Sequence, residues 1–297
     1  MVIHDVIQGH EALWVENDLL RLAVLPKKGA DIFAFIHKPS GVDFMLRTPA
    51  GLQPPTTQPQ DTFLANYEGA WQELFPNCGQ TCKVADKIIP MHGEVALLPW
   101  HYEILADRAD ITEVCFTCRC RQTPFEVERV MRLRTDIPSV EIEGTVHNLG
   151  EEPAAFVWGH HVVLGGNFLE EGCRIETTAS TLWTLVESRL TGASRLSPKQ
   201  LSQWPYVKAR YRDEMIDLSR VPPPSLATLD DAFLTDLTDG QIAVTNPRLG
   251  LKFSLRWDAS LFTTIVLWQA YGGQVGPLTG TYGLGIEPWV TRYNLAE

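Results

Sequence analysis

Hydrophobic and polar positions alternate with a period of two along most of the chain. In the segment FEVERVMRLR, Phe125, Val127, Met131 and Leu133 fall on one face, with Arg129 interrupting it. In SVEIEGTVHN, Val140, Ile142 and Val146 point one way while Glu141, Glu143 and His147 point the other. Such alternation predicts half-buried antiparallel strands. The runs ALWVEN, LLRLAVL, ADIFAFIHK, WHYEILA, QIAVTN, GLKFSLRW and FTTIVLWQ read the same way. Turn residues punctuate them at Pro26 to Gly29, Gly41, Asp136 to Pro138, Asn148 to Gly150 and Asn246 to Gly250. Many short strands at this spacing predict an all-β sandwich or barrel. Helices are scarce: one short helix is expected within Ser197 to Asp217, and Pro222, Pro223 and Pro224 forbid its continuation. Leu52 to Asp61 and Ser188 to Ser225 read as long loops, which in compact domains are often functional.

The chain has 297 residues, 44% of them hydrophobic, with no break in composition and no internal repeat. That is enough apolar surface for a sizeable core, and a single domain over residues 1–297 is expected. The formal net charge of -11 argues against a nucleic-acid partner, which needs a basic footprint, and against docking on anionic membranes. The N-terminus lacks the basic and apolar regions of a signal peptide, and no apolar run is long enough to span a bilayer. A cytoplasmic location is expected. Glycine-rich nucleotide motifs and the GxSxG elbow have no counterpart here, so nucleotide cofactors and serine hydrolysis have no local support. Cys115 and Cys118 form a CxxC, but EVCFTCRCR alternates, placing Val114, Phe116, Cys118 and Cys120 on one strand face. These thiols read as small reduced hydrophobes rather than zinc ligands.

Four segments carry candidate chemistry. They are Ala70 to Asn77, with Trp71, Gln72 and a Pro-Asn turn; Pro90 to Glu94, with His92; Trp158 to His161; and Gly285 to Trp289, with Glu287. Taken alone each has a bland reading, since a histidine near a turn is usually a satisfied surface residue and tryptophans often fill cores. Adjacent histidines on a strand point to opposite faces, so one of His160 and His161 is structural. Together the segments offer more. Glycine beside each candidate permits close approach, the aromatics offer flat apolar faces suited to sugar rings, and two imidazoles with a carboxylate form an acid–base set that works near neutral pH.

The order of these motifs resembles the aldose 1-epimerase (galactose mutarotase-like) family. LLRLAVLPKKGADIFAFIH resembles its opening strand and turn. LFPN and MHGEVALLPW resemble its Phe-Pro and His-Gly motifs, HHVVLG its His-x-x-Phe motif, Asp230 to Phe233 its Asp-x-x-Phe step, and GIEPWV its closing Glu-Pro. The resemblance implies a large antiparallel β-sandwich of the supersandwich type with a groove on one sheet. It also implies cofactor-free interconversion of the α and β anomers of a free sugar. By motif, Glu287 matches the general base on the C1 hydroxyl, His161 the general acid at the ring oxygen, and His92 a supporting histidine. Asp230 matches an aspartate that holds sugar hydroxyls, with Asp231 the alternative. Trp71, Gln72 and Asn77 are cleft residues by position only.

Two departures bear on the sugar's identity. No arginine stands between Phe-Pro and His-Gly, where Lys83 or Lys87 are the nearest cations, and Leu164 replaces an aromatic. A phosphosugar would want a cationic cluster, which that pair or Lys208, Arg210 and Arg212 would have to supply. A non-catalytic carbohydrate-binding or sensing protein is the competing reading, because fold alone does not decide function. A cupin-like metal site built from His92, His160, His161 and Glu287 is a third. Oligomeric state is left open.

Overall fold

The computed structural model describes residues 1–55, 62–293 and 295–296. Its contacts gather into two compact units. The first comprises Met1–Met45, Leu52–His160 and Tyr293–Glu297; the second comprises Leu46–Gly51 and His161–Arg292.

The first unit opens with antiparallel strands β1 (Val2–Ile7), β2 (His10–Glu16), β3 (Leu20–Leu25) and β4 (Asp31–His37), paired in sequence order. Two-residue β5 (Val42–Asp43) pairs with β4, as does β6 (Trp71–Leu74). A small hairpin follows, β7 (Cys82–Val84) with β8 (Lys87–Ile89). A four-stranded sheet completes the unit in the order β12-β11-β10-β9, from β9 (His101–Asp107), β10 (Ile111–Arg119), β11 (Phe125–Arg134) and β12 (Val140–Asn148). Alternation governs β10: Val114, Phe116 and Cys118 are buried while Cys115 and Thr117 are half-buried on the other side. All six cysteines are free, and burial pushes the Cys120 thiol up to about 12.

Arg129 interrupts the apolar face of β11 because it is a core residue there. Its guanidinium is fully buried, 3.4 Å from Glu73 Oε2, donates to the Ala30 carbonyl, and stands over the Trp100 and Phe116 rings. Trp158 Nε1 donates to the other Glu73 oxygen at 2.8 Å. A buried charge is tolerated when paired and hydrogen-bonded in this way.

Strand β13 (Gly159–Leu164) carries the chain into the second unit. There the strands are β14 (Arg174–Thr184), β15 (Leu201–Gln203), β16 (Tyr206–Lys208), β17 (Met215–Asp217), β18 (Thr228–Asn246), β19 (Leu251–Trp257), β20 (Thr264–Tyr271) and β21 (Tyr282–Trp289). The sheet order is β13-β21-β20-β18-β14-β15. Long β18 pairs with β20 over its first half and with β19 over its second. The two faces of β18 differ in its first half. Ala232 and Leu234 are fully buried, whereas Asp231, Phe233 and Thr235 keep partial exposure.

The structure corrects two expectations, since Ser188 to Ser225, read as a long loop, holds three strands. Ser197 to Asp217 holds β15, β16 and β17 rather than a helix. Pro198 and Pro205 stand inside the segment, and a helix interior excludes proline because it lacks the amide donor and clashes with the preceding turn. The described residues contain only three-residue 3-10 turns and no α-helix. Most of the expected loop Leu52 to Asp61 lies outside the described residues. The described residues also hold no helix long and apolar enough to cross a membrane.

Candidate active site

Glu287 and His161 meet in the second unit. Glu287 sits on β21 and His161 on β13, its neighbour in the sheet. Glu287 Oε1 lies 3.7 Å from His161 Nε2, with the residues 2% and 6% exposed. Burial pushes the Glu287 carboxyl well above the usual carboxylate range, the nearby Asp231 adds to the rise, and a hydrogen bond with Trp289 opposes it. Gly285 makes room for this side chain. A Cβ there would stand 2.5 Å from Glu287 Oε1 and 2.9 Å from the Trp268 Cβ. Trp268, directly opposite Gly285 on β20, packs its ring 6.0 Å from the imidazole of His161.

The two aspartates of β18 face opposite ways, as strand alternation requires. Asp231 is paired with Trp268 and so shares the face of Glu287. Its side chain keeps partial exposure, yet crowding around the carboxyl, with the Asp230 charge beside it and against the pull of Arg189, pushes its pKa up to about 7. Asp230 is paired with Gln269 on the other face and is 2% exposed. Arg195 occupies it: the backbone amide donates to Oδ1 at 2.8 Å, Nε donates to Oδ2 at 3.0 Å, and Nη2 reaches Gln269 Oε1 at 2.8 Å. The motif match therefore falls on the buried member of the pair, and Asp231, the alternative, is the one beside Glu287. The signal was available in the alternation of LDDAFL, where Leu229, Asp231 and Phe233 share one side.

His92 belongs to the first unit. It takes a left-handed backbone (φ 63°), its ring nitrogen Nδ1 is hydrogen-bonded to the Cys78 carbonyl, and Phe63 packs edge-on against it at 4.5 Å. Burial lowers its pKa to about 4, against the Cys78 carbonyl, so the ring is neutral at neutral pH. A neutral ring that donates from Nδ1 presents Nε2 as an acceptor. Gly93 is required beside it: its φ is 81°, and a Cβ would come within 2.2 Å of the Phe75 carbonyl oxygen. Glu94 is structural. Its carboxylate accepts the backbone amides of Arg121 and Gln122, each at 2.7 Å, and that of Thr123 at 3.1 Å.

The three positional candidates are buried, and their nitrogen donors are engaged within the first unit. Asn77 Nδ2 donates to the carbonyls of Gly79, Gln80 and Pro90, while its Oδ1 accepts from the Leu295 amide. Those bonds close the loop that carries His92. Gln72 Nε2 donates to the Gly69 carbonyl and to Asp31, beside a buried cluster in which Lys28 bridges Asp31 and Glu68. Trp71 Nε1 points at His160 Nδ1 at 3.4 Å. His160 is thus engaged in the first unit, and burial lowers its pKa, while its neighbour His161 meets Glu287 in the second. No three His, Cys, Asp or Glu side chains come together as a metal site among the described residues. The loop cations Lys208, Arg210 and Arg212 are each paired with a carboxylate: Asp213, Glu187 and Glu214. Lys87 donates to the Gln122 carbonyl.

A family model described as "Domain of unknown function (DUF4432)" matches residues 7–296. No curated protein matches the chain in sequence. Among solved structures, a Klebsiella pneumoniae protein provisionally named an aldose 1-epimerase superposes with a TM-score of 0.70 at 15% identity, covering 98% of this chain and 74% of its own. A galactose mutarotase-like protein from Lactobacillus casei gives 0.60 at 13%, covering 94% and 87%. A protein from Salmonella typhimurium provisionally named a mutarotase gives 0.68 at 11%, covering 99% and 87%. At these identities the likeness shows the fold, a galactose mutarotase-like antiparallel β-sandwich.

Proposed function

We propose that this chain, which belongs to the DUF4432 family, interconverts the anomers of a free reducing sugar by acid–base ring opening. The observation that carries the proposal is the buried His161–Glu287 pair, 3.7 Å apart on one sheet face. The two oxygens that must exchange protons in mutarotation are both bonded to C1, so two groups this close can serve them together. Glu287, ionised, takes the proton of the C1 hydroxyl. The electron pair of that O–H bond forms the carbonyl, the C1–ring-oxygen bond breaks, and His161 delivers its proton to the departing ring oxygen. After rotation about C1–C2 the steps reverse: His161 recovers its proton, and Glu287 returns its own to the C1 oxygen on the other face. Enclosure raises the basicity of Glu287, which favours proton abstraction once it is ionised. Asp231 is the aspartate assigned to the sugar hydroxyls. His92, in the first unit, is the supporting histidine that the sequence resemblance offers, and its ring is neutral at neutral pH. The names carried by the structural neighbours support the same reaction class.

The test is anomer exchange followed by NMR saturation transfer on a panel of free aldoses, with the spontaneous rate subtracted. Wild type should accelerate exchange of at least one sugar, and Glu287→Gln should lower the rate by about 10²–10⁴-fold. Sugar binding without acceleration would instead support a non-catalytic binder on the same fold.

A further inference from the structure

The face that holds Glu287 continues across the second unit's sheet as one straight row. Glu287 is paired with Val266, Val266 with Phe233, Phe233 with Trp183, and Trp183 with Leu201. Paired residues share a face, so five strands contribute one side chain each to the same line. Three strand spacings separate Glu287 from Trp183, roughly 14 Å between backbones, well beyond the reach of one sugar ring.

The far end of the row opens into a groove of about 470 Å³ lined by Thr181, Trp183, Leu201, Ser202, Gln203 and Asp236. That volume is within the usual range for small-molecule sites. The Trp183 indole is held at two points. Its Nε1 donates to Thr235 Oγ1 at 3.0 Å, and the Arg292 guanidinium stands over one face of the ring at 3.8 Å. A fixed, partly exposed indole flanked by hydroxyls, an amide and a carboxylate matches a sugar ring, with an apolar C–H face and a hydroxyl rim. The lining residues carry one carboxylate, Asp236, and the Arg292 guanidinium beside them is engaged with the indole, so the lining favours a neutral sugar over a phosphorylated or sulfated one. Between groove and acid–base pair lies half-buried Phe233, a second aromatic surface on the same line.

We infer that the Trp183 groove is a second sugar subsite, and that the substrate class is a neutral oligosaccharide whose reducing ring reaches Glu287 while a more distant ring stacks on Trp183. This deepens the mutarotase reading and rests on it.

Saturation-transfer binding and anomer exchange would be measured for glucose, cellobiose and cellotriose and for maltose and maltotriose. The proteins would be wild type, Trp183→Ala and the surface variant Gln203→Ala, which removes a groove side chain at little risk to folding. In the expected result one trisaccharide exceeds glucose in kcat/KM by about tenfold or more, as a linked second contact allows, and both variants pull that ratio toward one. Exchange of glucose with no gain from chain length, and ratios unmoved in both variants, overturns the subsite while leaving the mutarotase reading intact. Trisaccharide binding that depends on Trp183 without any exchange supports the subsite and removes the catalytic assignment. Absence of both binding and exchange for every sugar overturns the two together.

Discussion

Adjacent residues of this chain carry opposite duties, and substitutions should separate them. Asp231→Asn removes a negative charge beside Glu287. Its loss lowers the pKa of Glu287, so under the proposed mechanism the rising limb of the kcat/KM profile should move to lower pH. A pH–rate series on the variant reads this directly, and an unmoved limb would deny the coupling. Asp230→Asn should act on stability instead. It leaves Arg195 without its carboxylate partner, and breaking a buried pair costs about 3–5 kcal/mol, discounted here because Arg195 keeps some exposure. Denaturant midpoints of the two variants should therefore differ, with the Asp230 variant the less stable. His160→Asn and His161→Asn should divide the same way, the second costing exchange and the first chiefly packing against Trp71.

Two glycines fix what β21 and the His92 turn can do. In β21, Gly285→Ala would push a methyl into Glu287 Oε1, so the carboxylate must swing away from His161. Exchange should fall by about tenfold or more if proton abstraction depends on that placement, and the unfolding midpoint should fall as well, because the same methyl meets the Trp268 Cβ at 2.9 Å. Gly93→Ala meets a backbone carbonyl that cannot move aside, in a left-handed conformation that an alanine resists. There the cost falls on the fold, about 2–3 kcal/mol or more by thermal or denaturant unfolding. β18 shows why a motif alone misdirects. Asp-x-x-Phe counts residues along the chain, whereas the pleat assigns them to faces, and only the pairing of Asp231 with Trp268 tells which carboxylate stands with Glu287.

Much of the architecture was legible in the sequence, because period-two burial is the commonest device in this molecule. The strands of β10, β11 and β18 follow from it, and so does the placing of His160 and His161 on opposite faces. What was not legible lies where charge is buried. Arg129 looked like an interruption of an apolar face, and nothing local to it names Glu73, which is distant in sequence. Asn77 looked like a cleft residue, though its bonds go to backbone groups that only the closed loop assembles. The Lys28–Asp31–Glu68 cluster was likewise invisible, and it has a consequence for the whole molecule. Burial and the Asp31 charge, against Lys28, push the Glu68 carboxyl up to about 8. Its unfolded value is about 4.3, so its contribution is complete below that pH and is lost as pH rises toward 8. His92, depressed to about 4, works in the opposite sense: its contribution is complete above about 6.5 and is lost as pH falls. Between pH 6.5 and 8 Glu68 alone should lower stability by about 2 kcal/mol. Urea midpoints across that window should show the decline, and Glu68→Gln should make it shallower.

The pairs His160–His161 and Asp230–Asp231 also constrain how the gene can vary. Gaining or losing one codon inside β13 or β18 would preserve nearly all of the composition, yet every later position of that strand would trade interior for groove. The imidazole against Trp71 and the one beside Glu287 would change places, as would the carboxylate clamped by Arg195 and the one beside Glu287. Length variation is thus confined to the turns, and new chemistry on this face must arrive by single substitutions.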